Sequence, residues 1–303
     1  MPATSVVNRT ECPVCKSQSI APALTARDHT VSQETFSIWH CATCACRFTQ
    51  SVPDESEIGA YYQAESYISH SNTRKGLLAR TYQIARRYTL GRKRQQVISL
   101  SGRQAGTLLD VGCGTGEFLA AMQAGGWTVS GYEPDPGART YALEQNKVSV
   151  SAPEGIMTHP AHSADVITLW HVLEHVHQLD AYLAALHRIL KTDGVLLIAV
   201  PNYTSWDGEH YQGYWAAYDV PRHLYHFSPA GLTSLMASAG FTLSQMLPLP
   251  LDAYYVSLLS EKYQHGRFRP IQSMISGIRS SWAAQAGPDR CSSVLYVLKK
   301  TSA

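Results

Sequence analysis

Three groups of residues in this 303-residue chain have types and spacings suited to chemistry. The first is a glycine-rich turn in the stretch Leu108-Leu-Asp-Val-Gly-Cys-Gly-Thr-Gly-Glu117. Glycine lacks a Cβ, so the backbone of such a turn can adopt positive φ and lie directly against a ligand. Amides at the start of the helix that follows would favour a negatively charged group such as a carboxylate. The alternative is a tight turn with a purely structural role.

Acidic residues flank this turn at positions that suit a ribose. Asp110 lies at the end of one apolar strand, 107–111, and Glu133 follows the next, 128–132. A carboxylate after the second strand can accept hydrogen bonds from both ribose hydroxyls. We therefore predict a nucleoside-binding crevice. The residues expected in its wall are Asp110, Gly112, Cys113, Gly114, Gly116 and Glu133.

The second group is His171-Val-Leu-Glu174-His175, which follows a predicted strand at 165–169. Spacings of three and four would place its polar side chains on one face of a helix. Imidazole titrates near neutrality, so His171 is our first candidate for a general base. The same residues could instead bind a divalent ion. A third interpretation is that Glu174 and His175 only fix the start of a helix.

The third group is a pair of Cys-x-x-Cys motifs near the N-terminus. They are Cys12-Pro-Val-Cys15 and Cys41-Ala-Thr-Cys44. Four thiolates in this arrangement are typical of a structural zinc ribbon. A segment of about 50 residues cannot form much of a hydrophobic core, so a bound metal would stabilise it. Redox pairs or disulfides are the alternative. Cys46 is left over; it could replace Cys44 as a ligand or be a small buried side chain.

Around these groups, short apolar strands alternate with helical stretches. Alternation with short links indicates a largely parallel sheet with helices on both faces. Ligands of such sheets lie at the carboxyl ends of the strands, which places Trp170 and His171 beside Asp110 and Glu133. The strands predicted for this sheet are 107–111, 128–132, 148–150, 165–169, 195–200, 241–247 and 293–298.

The predicted fold class is α/β, with a Rossmann-like seven-stranded sheet and a small N-terminal zinc-ribbon domain. We expect the ribbon at 1–50, a helical connector and lid at 51–100, and the sheet domain at 101–303. Amphipathic helices at 254–263 and 271–282 would form an insert at about 252–288. A substrate cap and a homodimer contact both fit this insert.

Three motifs together resemble a known family. Asp110-Val-Gly-Cys-Gly-Thr-Gly116, Gly131-Tyr-Glu-Pro-Asp135 and Asp165-Val-Ile-Thr-Leu-Trp-His-Val-Leu-Glu-His175 occur in this order. Over about residues 100–250 the chain resembles class I S-adenosylmethionine-dependent methyltransferases. The resemblance implies a methyltransferase domain, S-adenosyl-L-methionine as the cofactor, and an antiparallel last strand inserted beside the fifth.

The resemblance also suggests contacts that the residues alone do not. Related enzymes with an N-terminal ribbon carry a tyrosine-rich segment that folds over the cofactor, which makes Tyr67 and His70 candidate lid contacts. Plain packing of those aromatics is the alternative. Some O-methyltransferases of ubiquinone synthesis, and the small-RNA 2′-O-methyltransferases, carry Glu-x-x-Glu-His plus a later histidine. This implies a second, divalent metal at Glu174 and His175, with His223 as the later histidine, although His171 replaces the first glutamate here.

For the acceptor we expect a small molecule, methylated at oxygen rather than carbon. The alternative is an RNA methyltransferase that contacts RNA through the ribbon and a basic helix. Residues 1–50 contain four Lys or Arg and three Asp or Glu, a balance that is not typical of a nucleic-acid surface. Nine Lys or Arg and no acid lie between Glu65 and Asp110. That run could face an anionic substrate, a membrane surface, RNA or simply solvent.

Composition and charge limit the possible partners and the cellular location. The net charge is +2 and the hydrophobic fraction 45%, as in globular proteins without a polyanion partner. Residues 1–11 lack the apolar core of a signal peptide, and the longest aliphatic run, 195–200, is too short to span a membrane. We therefore expect a cytoplasmic protein. The loop 201–227 is rich in aromatics, and we interpret it as a pocket wall, with a self-packed flap as the alternative.

Overall fold

The computed structural model of the chain describes residues 5–62 and 77–301. Tyr67 and His70, the candidate lid contacts, lie outside the described residues. The N-terminal part consists of short strands, which pair mostly antiparallel. These strands are β1 (Val6–Val7), β2 (Ile20–Arg27), β3 (Thr35–Cys41), β4 (Arg47–Thr49) and β5 (Val52–Pro53).

A seven-stranded sheet forms the centre of the second part, in the order β12-β13-β10-β9-β6-β7-β8. Strand β13 lies antiparallel between β10 and β12, and the pairs among β6 to β10 are parallel. The seven predicted strands are all present and the antiparallel last strand is confirmed, but the third, predicted at 148–150, is the short Val150–Ser151, and the fifth begins at Leu190 rather than at residue 195. The later strands are β6 (Thr107–Val111), β7 (Thr128–Tyr132), β8 (Val150–Ser151), β9 (Ala164–Trp170), β10 (Leu190–Pro201), β11 (Tyr225–His226), β12 (Phe241–Pro248) and β13 (Ser293–Lys300).

Helices cover this sheet and connect its strands. Several begin with recognisable caps: Asp135 accepts from the amide of Gly137, and Ser228 accepts from that of Gly231, each just before a proline at the first helical position. The helices are α1 (Leu77–Ser101), α2 (Glu117–Ala124), α3 (Pro136–Asn146), α4 (Leu179–Ile189), α5 (Trp206–Tyr211), α6 (Pro229–Ser238), α7 (Asp252–His265) and α8 (Pro270–Ala283). In the described part of the chain, no helix has the length and apolar character needed to cross a bilayer.

The central strands are buried on both faces. Every residue from Val195 to Val200 in β10 is buried, as expected for a strand with helices above and below. Replacing a side chain such as Ile198 by alanine would cost about 2–5 kcal/mol, because the surrounding helices close the resulting cavity only partly. The carboxyl ends of β6, β7 and β9 are therefore held rigidly.

The N-terminal sheet is completed by a strand from the distant half of the chain. Strand β11 pairs with β4, with Tyr225 opposite Phe48, which gives a four-stranded sheet β11-β4-β3-β2. Helix α6 also meets this sheet so closely that a Cβ at Gly231 would overlap Cys46. The ribbon thus shares a sheet and a core with the second part. A boundary at residue 50 divides the sequence, but it does not divide the hydrophobic core.

The aromatic segment 201–227 is a packed unit, so its interpretation as a pocket wall is wrong for most of its rings. It contains helix α5, two 3₁₀ turns and β11 rather than irregular loop alone. Burial of aromatic surface stabilises the segment against the ribbon, and Tyr214, at 45%, is its one exposed large hydrophobic side chain. The buried rings are Tyr203, Tyr211, Trp215, Tyr218, Tyr225 and Phe227.

Candidate active site

The glycine turn after β6 has the backbone geometry of a ligand cradle. Gly112, Gly114 and Gly116 all have positive φ, of 68°, 54° and 74°. A Cβ at Gly112 would overlap Val172, whereas a Cβ at Gly114 would meet no described atom within 4 Å. Gly112 is therefore required by packing, and Gly114 borders open space that a ligand can fill.

Glu133 closes the far side of this turn. Its Oε2 accepts from the amide of Gly114 at 2.8 Å, and its Oε1 accepts from the amide of Asp135 at 3.0 Å. Burial raises its pKa. The sequence placed Glu133 at the end of β7, and the structure brings it to the glycine turn.

Asp110 lies beneath the crevice and is almost fully buried. Thr168 on β9 donates to its Oδ1 at 2.6 Å. Burial raises the pKa of Asp110 to about 7, although the hydrogen bond from Thr168 and the charge of Lys93 oppose the rise. Asp110 thus couples β6 to β9 at the level where Trp170 and His171 begin the next loop.

Lys93 is a site residue that the sequence did not single out. It belongs to the basic run of α1, yet its Nζ lies 4.5 Å from the centre of the Trp170 ring. Burial lowers the pKa of this lysine, while the charges of Asp110 and Asp252 oppose the shift. An ammonium over an indole face is an attractive contact, and here it places a cation near Asp110, at the carboxyl ends of β6 and β9.

His171 does not lie on a helix, contrary to the expectation from its spacing. Its φ is 58°, and only a short 3₁₀ turn at Leu173–His175 follows. Nε2 lies 3.1 Å from Oδ2 of Asp252, and Nδ1 lies 3.6 Å from Oε1 of Glu174. Burial would lower the pKa of His171, but these two carboxylates raise it to about 10. His171 therefore links two acids as a cation.

Three residues converge next to His171. One ligand atom each from Glu174, His175 and His223 lies within 4.8 Å of the others. The Nδ1 atoms of His175 and His223 contact the carbonyls of Arg222 and Ala217 at 3.0 and 2.9 Å. Carbonyl oxygens only accept, so we assign a hydrogen to each Nδ1, and the neutral tautomer presents its lone pair at Nε2.

Glu174 lacks the hydrogen bonds that a buried carboxylate requires. The residue is fully buried, and neither side-chain oxygen has a hydrogen-bond partner among the described residues. Burial would raise its pKa, but His171 and the neighbouring histidines hold the pKa below its ordinary value. The His171 cation balances part of this charge at 3.6 Å, and a divalent cation between Glu174, His175 and His223 would bind the carboxylate oxygens that lack hydrogen bonds.

Buried charges outside the predicted set position the cluster. Arg222 donates to Asp219 at 2.6 Å and to the carbonyl of Tyr61 at 2.8 Å. The hydroxyl of Tyr62 lies 3.0 Å from Nδ1 of His175. Burial lowers the pKa of His175 to about 4, so this imidazole is neutral at physiological pH. The connector before residue 63 thus reaches the cluster directly.

The four cysteines come together as their spacing predicts. Sγ of Cys12 lies 3.6 Å from that of Cys44, and Sγ of Cys15 lies 3.6 Å from that of Cys41. A tetrahedral zinc with bonds of about 2.3 Å separates its sulfurs by roughly 3.8 Å, so the four thiols fit this ion. Cys46 is buried and lies outside the set of four.

Comparison with known proteins agrees with this geometry. A family model described as a methyltransferase domain matches residues 82–246. The chain belongs to this family. The matched range contains the glycine turn, Glu133, the cluster at 171–175 and His223, so the predicted class I S-adenosylmethionine-dependent methyltransferase fold is confirmed.

Two relatives carry the same printed name, ubiquinone biosynthesis O-methyltransferase. The protein of Azorhizobium caulinodans is 26% identical over 158 residues, which cover 48% of this chain and 62% of the relative. The protein of Citrobacter koseri is 32% identical over 102 residues, which cover 31% of this chain and 42% of the relative. Both matches span less than two thirds of the relative's length.

Solved structures share the fold at low identity. The 1,6-didemethyltoxoflavin-N1-methyltransferase of Burkholderia thailandensis has a TM-score of 0.51 and 16% identity, covering 91% of this chain and all of the other. The [4+2]-cyclase SpnF has a TM-score of 0.50 and 18% identity, covering 70% and 81%. These likenesses concern the fold alone.

Proposed function

We propose that the chain transfers the methyl group of S-adenosylmethionine to an oxygen of a small-molecule acceptor. One observation carries the proposal: Glu174 and His175 come within five residues of Trp170, at the carboxyl end of the strand beside Asp110, and His223 joins them from the segment before β11. A cradle for a nucleoside and a group of proton acceptors thus lie at the same edge of one sheet.

The chain's own residues would bind and orient the cofactor. Glu133 would exchange its hydrogen bond from Gly114 for bonds from the ribose hydroxyls. The glycine turn and the start of α2 would receive the methionyl part, and Lys93 would balance its carboxylate. A sulfonium methyl carries its own leaving group, so alignment of the acceptor and exclusion of water are the main requirements.

A hydroxyl acceptor must also lose its proton. Of the three candidate bases, His175 suits this step best, because its imidazole is half-buried and its lowered pKa keeps it neutral. His171 lies between Asp252 and Glu174, and we assign it the role of orienting Glu174. His223 completes the cluster from the other side, with its ring 4.6 Å from that of His175.

A divalent cation also fits this cluster. Glu174, His175 and His223 would hold it, with the backbone carbonyls of Arg222 and Ala217 orienting the two imidazoles. When bound, such an ion polarises an acceptor oxygen and lowers the pKa of its proton. In the ribbon we propose one structural zinc on Cys12, Cys15, Cys41 and Cys44.

Oxygen is favoured over carbon by the printed name of the two relatives. The RNA alternative rests on the basic run of α1, and the nearly neutral ribbon weighs against it. We also propose the segment limits 1–50, 51–100 and 101–303, and a cytoplasmic location, for which seven cysteines without a disulfide are typical.

The test is transfer of labelled methyl from S-adenosylmethionine into fractionated host extract. We expect label in the small-molecule fraction, on an ether oxygen by mass spectrometry, and none with a Gly114→Val variant. Label confined to RNA would overturn the assignment of the acceptor. Absence of label from every fraction, in a preparation that binds the cofactor, would overturn the enzymatic proposal itself.

A further inference from the structure

Helix α8 presents its apolar side to solvent. Five large apolar residues follow one another at spacings of three, one, three and four, which places them in one stripe. All five are exposed, Ile271 at 71% and Trp282 at 69%. The stripe consists of Ile271, Met274, Ile275, Ile278 and Trp282.

This orientation is fixed by the opposite side of the helix. The buried side consists of small residues, Ser273, Ser276, Gly277 and Ser280. Ser280 donates to the buried Asp207 at 2.8 Å, and a Cβ at Gly277 would lie 2.6 Å from the ring of Tyr254 on α7. Large side chains cannot enter this contact, so the helix cannot rotate its apolar stripe inward. The packing of α8 against α7 therefore keeps the stripe exposed.

The stripe continues at both ends of the helical hairpin α7–α8. Phe268 in the connecting turn is exposed, and so are Leu251 and Tyr255 at the start of α7. Ser281 donates to the carbonyl of Pro250 at 3.3 Å, so the end of α8 lies beside the start of α7. Asp252, which contacts His171, begins α7. The apolar surface therefore extends from the hairpin turn towards the candidate active site.

The exposed charges of the hairpin are basic, because its two acids are paired. Residues 251–286 contain four bases, Lys262, Arg267, Arg269 and Arg279, and two acids, Asp252 and Glu261. Asp252 contacts His171, and Glu261 is buried and contacts Arg269 at 3.1 Å. The exposed rim is consequently basic. A second copy of the same surface would bring like charges together, whereas an anionic surface would complement them.

We propose that the α7–α8 hairpin docks this protein peripherally on an anionic lipid surface, with the stripe of α8 and Phe268 in the headgroup region. An apolar stripe bordered by Arg and Lys is the pattern of helices that lie in the membrane interface. Anionic lipids add attraction for each basic residue near the surface. Docking would turn the end of the hairpin nearest His171 towards the bilayer.

The test uses the full chain and vesicles of phosphatidylcholine alone or with about 30% phosphatidylglycerol, which makes the vesicle surface anionic. We expect flotation with the anionic vesicles only, weakened by salt. The double variant Ile271→Ser/Trp282→Ser should lose about tenfold or more in partition. Leu143→Ser, at an apolar position on α3 that is 58% exposed, should bind like the parent.

Charge variants and the oligomeric state distinguish lipid binding by the hairpin from lipid binding by α1 and from dimer formation. Arg267→Glu/Arg279→Glu should abolish flotation, and Arg92→Glu on α1 should not. Loss of binding through Arg92→Glu alone would move the lipid contact to the basic run and overturn the proposal. Failure of the parent to float would overturn it as well. A parent dimer that Ile271→Ser/Trp282→Ser converts to monomer by light scattering would assign the face to a second copy instead. Cofactor affinity of each variant reports that it is folded.

Discussion

Nδ1 of His175 donates to the backbone carbonyl of Arg222, 47 residues further along the chain, at 3.0 Å. The amide of Leu224 returns a bond of 2.8 Å to the carbonyl of Glu174. These two bonds fasten the turn after β9 to the segment before β11. They fix the tautomer of His175 and bring His223 beside it, which creates a cluster that neither segment could form alone.

The first prediction concerns this cluster. His175→Ala should leave the affinity for S-adenosylmethionine nearly unchanged, because the glycine turn and Glu133 remain. Turnover of the acceptor should fall by about 10²-fold or more, the usual scale for loss of a general base. The measurement is calorimetric affinity together with single-turnover rate. His187→Ala, on α4 next to Gly240, is the matched control and should behave like the parent.

Metal dependence distinguishes catalysis by His175 as a general base from catalysis with a bound divalent ion. If a divalent ion is bound, mild chelation that leaves the ribbon loaded should lower parent turnover, and added metal should restore it. If His175 acts alone as a base, chelation should have no effect. Normal turnover in both His175→Ala and His223→Ala would contradict a catalytic role for the cluster in either form.

The second prediction concerns the cofactor cradle. Gly114→Val should abolish S-adenosylmethionine binding in calorimetry, because the new side chain fills the open space beside the turn. Gly126→Val is a matched control: Gly126 also has positive φ, 88°, and open space, but it lies in the turn between α2 and β7. Both variants carry similar backbone strain. Equal affinity in the two would refute the assignment of the cradle.

Much of this arrangement could be predicted from the sequence, because it depends on residues that are close together in the chain. The order of the strands, the glycine turn and the cysteine pairs depend on short-range patterns, and the structure reproduces them, although the bounds of the third and fifth strands differ. The contact of His171 with Asp252 joins residues 81 positions apart, and Lys93 reaches Trp170 only because α1 packs on the sheet. Spacing alone gives no signal for such contacts. The aromatics of 201–227 were misinterpreted because composition does not distinguish a pocket wall from a packed core.

The third prediction concerns the ribbon. Elemental analysis should find one zinc per chain, because four thiols lie at distances that suit one tetrahedral ion. Cys41→Ser should lose the metal and unfold β2 to β4, and with them the pairing to β11. Cys291→Ala, a buried cysteine outside the set of four, should retain it. A fully folded parent without metal would refute the zinc assignment.

Lys93 provides the fourth prediction. Lys93→Met keeps the length and apolar contacts of the side chain over Trp170 but removes the charge. S-adenosylmethionine should bind about tenfold more weakly, as expected for loss of one charge-assisted contact to its carboxylate. Methylthioadenosine, which lacks the amino-acid part, should bind the variant and the parent equally. Equal weakening of both ligands would mean that Lys93 supports the fold of the crevice instead. Arg92→Met, one residue away and exposed, is the control.

The last prediction concerns Asp165, which ties the start of β9 to β6. Its Oδ2 accepts from the amide of Thr107 at 2.8 Å and from Nζ of Lys191 at 3.0 Å. Burial would raise the pKa of Asp165, but these bonds lower it to about 2. An aspartate in the unfolded chain has a pKa near 3.9, so the folded state is favoured by about 2 kcal/mol wherever the carboxylate is ionised in both states.

This stability should be complete above about pH 4 and be lost as the pH falls towards 2, since the depressed pKa belongs to the folded state. Asp165→Asn should therefore lower the free energy of unfolding in urea by about 2 kcal/mol, by the same amount at pH 8, 7 and 6. Asp193→Asn, which removes the exposed partner of Arg103, should change it by less than about 1 kcal/mol. A loss that grows between pH 6 and 8 would show that the carboxylate titrates near neutrality, and the assignment of a low pKa to Asp165 would be wrong.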